Sequence, residues 1–340
     1  MTIGTDGYKK VEWNIAMRHS ANNILLSQGK TGMGKTLFNC FCINGASADN
    51  IPCVVFDYTD SYVKAKEIFP ADKLTYYNVA KEGLGINPFK RQICYVDNVA
   101  QNEDIDSMVY RILETLTRGL KITAKTQKLK LQRSLYKQIY DEGEAASIPY
   151  LYASLAGTDL GEMLRSISKC RWYSNKLDWK ELLQNGKILV IQLSDVGIAR
   201  RYMFTEMILS DLWGETMKGH LDEYLICLDE IQHLNLSSGF TVHKMLRESR
   251  KYGVAMLLST QFLGNLKDRD TKLVLEQAAQ RIFFRPPESN LASIARSIDI
   301  EHRRKWQVTL KNLGVFEYAF AGNGIVDGKA YDLKCKLKFK

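Results

Sequence analysis

The residues best suited to do chemistry lie in one run, Gly29-Lys30-Thr31-Gly32-Met33-Gly34-Lys35-Thr36. The run fits G-x-x-x-x-G-K-[ST], a loop whose glycines let successive backbone N–H groups turn into one phosphate-holding concavity. Ile24-Leu25-Leu26 reads as the strand before it, and Leu37, Phe38 and the residues to about Ile43 read as the helix after it. The start of that helix brings its positive dipole end to the same point. Lys35 is expected to reach the β- and γ-phosphates, and Thr36 to put its hydroxyl on Mg2+. The nucleotide-binding set thus runs through Gly29, Lys30, Thr31, Gly32, Met33, Gly34, Lys35, Thr36 and Leu37. The plainer alternative is a glycine-rich turn with a surface lysine. The agreement of strand, loop and helix weighs against it, as does a second motif downstream.

That motif is Glu223-Tyr224-Leu225-Ile226-Cys227-Leu228-Asp229-Glu230, an apolar strand ending in two acids. Asp229 is expected to hold Mg2+ through water, and Glu230 to polarise the attacking water as general base. Such a pattern is weak alone and strong when paired with a complete phosphate loop upstream. A further strand, Val254 to Gln261, ends in a polar amide, and Gln261 is placed to sense the γ-phosphate or orient water. A strand-end hydrogen bond is the bland reading of Gln261. The apolar run in Ile51-Pro52-Cys53-Val54-Val55-Phe56-Asp57-Tyr58, bounded by Pro and Asp, reads as a buried parallel strand with Asp57 at its carboxyl end, where ligands bind in open α/β sheets. Asp57 and Asp60 could face the nucleotide, or Asp60 could cap a helix.

The elements that must position these residues are bounded by composition. The chain has 340 residues, within reach of one large α/β domain with an insertion. Hydrophobic residues at 45% and charged residues at 25% suit a globular protein, and six prolines argue against long linkers. The net charge of +9 leans toward an anionic partner, nucleic acid being the commonest. Seven cysteines include no C-x-x-C pair and no zinc spacing, so a reducing, cytoplasmic setting is expected. No signal peptide and no apolar run of about 18 residues is present, so no membrane span is expected.

Along the chain, residues 1–22 are polar and too few for a separate domain. From about 97 the spacing turns helical: Val109, Ile112, Leu113, Leu116 and Leu120, then Leu131, Leu135 and Ile139, then Leu160, Leu164 and Ile167. An all-helical insertion over 97–180 is therefore expected to divide an ATPase core into 1–96 and 181–340. Residues 111–140 hold eight Lys or Arg against one acid, Glu114: a solvated face, or a DNA or partner surface. Strands are expected at 187–193 and 281–285, with helices over 200–218, 240–251 and 271–279. Residues 313–320 read as a last strand or hairpin. The lysine-rich tail from 329 reads as an edge strand or solvated end, with phosphate contact as the sharper option.

Taken together, the motifs resemble the HerA/FtsK superfamily of ring-forming ATPases, on the branch of HerA and the type IV secretion ATPases. The phosphate loop, Asp229-Glu230-Ile231-Gln232-His233-Leu234, the stretch from Arg247-Glu248 to Gln261, and the turn Asn87-Pro88-Phe89 carry the likeness. Val54 to Tyr62 is similar more narrowly to the ATPase part of the phosphorothioation-dependent restriction family of DptH. The resemblance implies a RecA-like α/β core, mainly parallel and flanked by helices, assembled as a hexamer around DNA. ATP then sits between subunits, and a neighbour supplies an arginine: Arg281 first, Arg285 second, with Arg247 and Arg250 as further choices. A structural salt bridge is the alternative for each. The N-terminal β-barrel of HerA has no counterpart in the opening residues. The implied activity is an ATP-driven DNA translocase or helicase in bacterial DNA processing or anti-phage defence. Two alternatives stand beside it: an ATP-controlled scaffold that regulates a nuclease or other effector, and a conjugation or secretion motor.

Overall fold

The structure is a computed structural model and describes every residue except 8, 15–21, 97–98, 169–176, 235, 238, 262, 264–268 and 340. In chain order the elements are β1 (Thr2–Asp6), β2 (Lys9–Glu12), β3 (Ile24–Gln28), α1 (Lys35–Ala48), β4 (Cys53–Asp57), α2 (Ser61–Lys64), β5 (Leu74–Asn78) and α3 (Val79–Glu82). There follow β6 (Ile93–Val96), β7 (Val99–Asn102), α4 (Ile105–Gly119), α5 (Lys125–Glu142), α6 (Ile148–Ser154), α7 (Asp159–Ser168) and α8 (Trp179–Leu182). The last part holds β8 (Ile188–Gln192), α9 (Ile198–Met217), β9 (Tyr224–Leu228), α10 (Thr241–Glu248), β10 (Val254–Thr260), α11 (Arg269–Glu276) and β11 (Gln280–Phe284). It closes with α12 (Leu291–Ile298), α13 (Arg303–Lys311), β12 (Glu317–Val326) and β13 (Lys329–Lys338). None of the helices among the described residues is long and apolar enough to cross a membrane.

Eleven strands form one sheet in the order β13-β1-β2-β12-β11-β3-β10-β9-β4-β8-β5. From β11 to β4 the neighbours run parallel. Every residue of β3, β4, β9 and β10 is buried. That is why these strands read as continuous apolar runs: a parallel sheet covered on both faces leaves no polar side to alternate with. The register sets the site. Thr260 lies beside Gln28, and Leu258 beside both Leu26 and Leu228, so three strands reach their carboxyl ends at one edge. Ligands bind at that edge in open α/β sheets.

The other wing is antiparallel. β12 pairs with β11, and the hairpin β12–β13 stays in register from Val326 opposite Lys329 to Glu317 opposite Lys338. The N-terminal strands join it, β1 against β13 and β2 against β12. Residues 2–6 and 9–12 thus belong to the sheet, and Trp13 just after them is 1% exposed. Lys329, Lys334, Lys336 and Lys338 of the tail lie on β13, where Lys334 pairs with Asp299 at 3.4 Å and Lys336 with Glu317 at 2.8 Å. Beneath α1, Phe38 meets Phe284, Tyr318 and Phe339 at ring separations of 5.9, 5.3 and 5.4 Å. These edge-on contacts fix the helix that follows the phosphate loop.

The chain divides into two compact units, Met1–Tyr76 with Leu183–Val190 and Asp222–Lys340, and Tyr77–Leu182 with Ile191–Leu221. The second unit holds the helices α4 to α9. α4 and α9 approach closely because Gly119 leaves room for Met203; a Cβ there would stand 2.7 Å from its Sδ. The helices are preceded by a hairpin, β6–β7, paired from Ile93 opposite Asn102 to Val96 opposite Val99. The helical spacing did not announce it, since strands of four residues are too short to show a period. In the basic stretch, Arg111 is held by Glu103 at 2.8 Å and by the carbonyls of Pro88 and Lys90. Arg118 sits 3.6 Å from Glu114.

Glu215 gives this unit a pH limb. Burial alone would raise its carboxyl, but hydrogen bonds from Lys218, Lys90 and His220 outweigh that and bring it down from 4.5 to about 2. A depressed folded-state value means stability that is fully present above about pH 4.5 and is lost as pH falls toward 2. Melting temperatures between pH 6 and pH 3 are expected to fall less steeply for Glu215→Gln than for the parent. Equal slopes would show that the cluster contributes nothing.

Candidate active site

The phosphate loop bridges β3 and α1. Gly34 caps α1 with φ 102°, a conformation that favours glycine. Gly29 leaves room for the neighbouring strand: a Cβ there would meet the Phe284 Cβ at 2.6 Å. The Lys30 N–H donates to the Arg285 carbonyl at 3.2 Å and ties the loop to the end of β11. α1 has no side-chain cap and no acid in its first turn, so nothing in that turn competes with an anion for its first N–H groups. Lys35 is buried; its Nζ donates to the Gly29 carbonyl at 2.7 Å and to that of Lys30 at 3.3 Å. Burial lowers its pKa, against the opposing pull of Glu230 and Asp229. Thr31 is exposed, Gly32 turns at φ 83°, Met33 is half-buried, and Leu37, the third residue of α1, is exposed.

Asp229 and Thr36 meet although 193 residues separate them: the Thr36 hydroxyl donates to Asp229 Oδ2 at 3.3 Å. The same oxygen accepts the Tyr62 hydroxyl at 3.3 Å. Oδ1 accepts the Ser259 hydroxyl and the Glu230 N–H, the latter at 3.0 Å. Among the described residues no group of three or more His, Cys, Asp or Glu could hold a metal ion by itself. A cation here would need phosphate or water oxygens beside Thr36 and Asp229.

Glu230 follows in a left-handed conformation, φ 50° and ψ 49°. Its carboxylate accepts a hydrogen bond from Gln232 Nε2, and the Gln232 Oε1 accepts the Thr260 hydroxyl at 2.8 Å. Gln261 stands exposed immediately after Thr260. The chain from Glu230 through Gln232 thus reaches the strand end that carries Gln261.

Both carboxylate oxygens of Asp57 are engaged by nearby backbone. Its carboxylate accepts the N–H groups of Thr59, Ser61, Tyr62 and Val63, which fixes the start of α2. The cap is therefore Asp57, whereas Asp60 adopts a left-handed conformation with no side-chain cap bond. Arg281 lies within β11, opposite Leu26, and its guanidinium donates to the Ser297 carbonyl at 3.0 Å. Arg285 is exposed beside its own phosphate loop. Arg247 donates to His243 Nε2 at 3.0 Å, and Arg250 is exposed. Asn39, Tyr62, Gln232, Ser259 and Thr260 were not singled out from sequence. One signal was present for Asn39, which falls on the Thr36 side of the helix three residues on.

The family model described as the central domain of the helicase HerA matches residues 24–212. Among solved structures the chain resembles VirB4 of Thermoanaerobacter pseudethanolicus, with a TM-score of 0.71 at 12% identity, over 100% of this chain and 96% of that one. It also resembles the plasmid coupling protein TrwB, solved with ADP and Mg2+, with a TM-score of 0.60 at 13% identity, over 94% of this chain and 85% of that one. Both likenesses are likenesses of fold. No curated protein matches the chain by sequence.

Proposed function

We propose that this chain, which belongs to the family of the HerA helicase central domain and is a P-loop ATPase, acts as a homo-oligomeric, hexameric ring that moves along or remodels DNA in bacterial DNA processing or defence. The observation that carries the reading is the meeting of Thr36 and Asp229 beside the buried amine of Lys35. Two hard oxygens at one point suit Mg2+, which takes one or two protein oxygens and completes its shell with water and phosphate. Thr36 and Asp229 would hold the ion; when bound it neutralises charge on the phosphate oxygens. Lys35 binds the β- and γ-phosphates and Glu230 draws a proton from the attacking water. Gln261 reports the state of the γ-phosphate to the strands behind it. Arg285, beside its own loop, is the arginine best situated for phosphate in its own subunit; Arg281 acts on a neighbour's nucleotide only by leaving Ser297.

The DNA part of the reading is supported by α5. Leu131, Leu135 and Ile139 bury one face, while Lys130, Arg133 and Lys137 lie on the other, beside Tyr140 at 82% exposure. Among the described residues none of these three cations takes part in an ion pair, in contrast to Arg111 and Arg118. An unneutralised row of cations beside an exposed aromatic ring fits phosphates and a stacked base. The direct test is the ATPase rate and the particle mass of the purified chain, with and without duplex and single-stranded DNA, at two salt concentrations. Stimulation that fades with salt in a ring-sized particle is the expected result. In the triple variant Lys130→Glu, Arg133→Glu, Lys137→Glu, DNA affinity is expected to fall about tenfold or more and its salt slope to flatten, with basal turnover unchanged.

A second reading, a conjugation or secretion motor, is favoured by the fold shared with VirB4 and TrwB over nearly the whole chain. Turnover that ignores DNA and responds to a protein partner would instead favour a scaffold that regulates a nuclease or other effector.

A further inference from the structure

Asp229 is held by two buried hydroxyls, and both are governed by one amide. Asn39 lies on α1 three residues after Thr36 and is fully buried. Its Nδ2 donates to the Tyr62 hydroxyl at 3.0 Å and to the Ser259 hydroxyl at 3.1 Å. A hydroxyl has one proton and two lone pairs. With the amide N–H groups occupying a lone pair on each oxygen, each proton is left to aim at the carboxylate: Tyr62 at Oδ2, 3.3 Å away, and Ser259 at Oδ1. The Cys227 sulfur, 3.4 Å from the Tyr62 oxygen, is then the donor of that pair.

Three separate elements deliver these groups. α1 brings Asn39 together with Thr36. α2 brings Tyr62, with its start fixed by the four N–H groups on Asp57. β10 brings Ser259 one residue before Thr260. Tyr62 and Ser259 are 1% and 0% exposed, so water does not compete for their protons. Burying two hydroxyls and an amide N–H pair at the floor of a site costs free energy unless they are paired; here the donors are all paired toward Asp229, and the Asn39 Oδ1 alone has no partner among the described residues.

We propose that Asn39, Tyr62 and Ser259 are positioning residues that lock the Asp229 carboxylate in the orientation that holds the metal with Thr36. The proposal rests on the reading of Asp229 as a metal holder and goes beyond it by naming what fixes the carboxylate. Groups of this kind orient a metal-binding side chain without touching the ion, and their loss typically weakens metal affinity by about 10- to 100-fold.

The test uses the full chain loaded with ADP and Mn2+ as a paramagnetic stand-in for Mg2+, read by electron paramagnetic resonance. Tyr62→Phe keeps the ring and removes only the hydroxyl. It is expected to weaken Mn2+ binding about tenfold, while ADP affinity without metal and the melting temperature stay near the parent's. High metal concentration should then restore turnover, which a merely structural defect would not allow. Ser259→Ala is expected to act in the same direction, and serves alone should Tyr62→Phe fail to fold. Asp229→Asn sets the reference. If it abolishes Mn2+ binding while Tyr62→Phe and Ser259→Ala bind Mn2+ like the parent, the positioning role is wrong. If Asp229→Asn itself leaves Mn2+ binding intact, the metal reading fails and the proposal falls with it.

Discussion

Lys35→Ala is expected to lower ATP turnover by about 100- to 1,000-fold, the loss seen when one preorganised charge-stabilising donor is removed from an active site. The amine is already in place before nucleotide arrives: it is buried and pinned to the carbonyls of Gly29 and Lys30 at 2.7 and 3.3 Å. Burial lowers its pKa, so its charged form is disfavoured while those carbonyls are its nearest hydrogen-bond partners. A phosphate in the loop adds countercharge to that of Glu230 and Asp229, and the gain appears as binding and as charge stabilisation in the transition state. The fold should tolerate the change. Removing a partly desolvated ammonium relieves a cost that offsets the lost hydrogen bonds, each worth about 1 kcal/mol net. The melting temperature should therefore stay within a few degrees of the parent's while calorimetry shows weakened nucleotide binding. A variant with full turnover would overturn the assignment of the phosphate loop.

The legible part of this molecule is the part written in consecutive residues. The strands β3, β4, β9 and β10 are short apolar runs, fully buried on both faces. The phosphate loop and the Asp229-Glu230 pair are local spellings whose meeting follows from parallel strands ending at one edge. The illegible part is contact between residues remote in sequence. Asn39 reaches Ser259 across 220 positions and Tyr62 reaches Asp229 across 167, and no periodicity encodes either pairing. Asp57 shows a different limit. Its place at a strand end was read correctly, but a carboxylate there has two uses, and its four backbone N–H partners spend it on a cap. The eight cations of residues 111–140 looked alike in sequence. Only placement separates Arg111, half-buried against Glu103, from Arg133 and Lys137 on an open helix face.

Glu230→Gln is expected to bind ATP about as well as the parent and to turn it over about 100- to 10,000-fold more slowly, the usual range for a lost general base. The geometry separates this effect from a folding defect. Glu230 sits at φ 50°, ψ 49°, a left-handed conformation that costs a β-carbon residue about 1–3 kcal/mol. Glutamine keeps that strain and nearly the same shape, so its stability should match the parent's. Glu230→Gly relieves the strain and should raise stability by about 1 kcal/mol while losing turnover to the same degree. A stabilised but inactive glycine variant, beside an inactive glutamine variant no more stable than the parent, would identify the strain as the cost of aiming a carboxylate. The Gln232 and Thr260 relay supplies the aim, since the amide donates to Glu230 and accepts from the end of β10. The measurements are urea melts and single-turnover hydrolysis on the three proteins. Turnover in Glu230→Gln close to the parent's would move the base elsewhere and leave the strained backbone at Glu230 without a chemical reason.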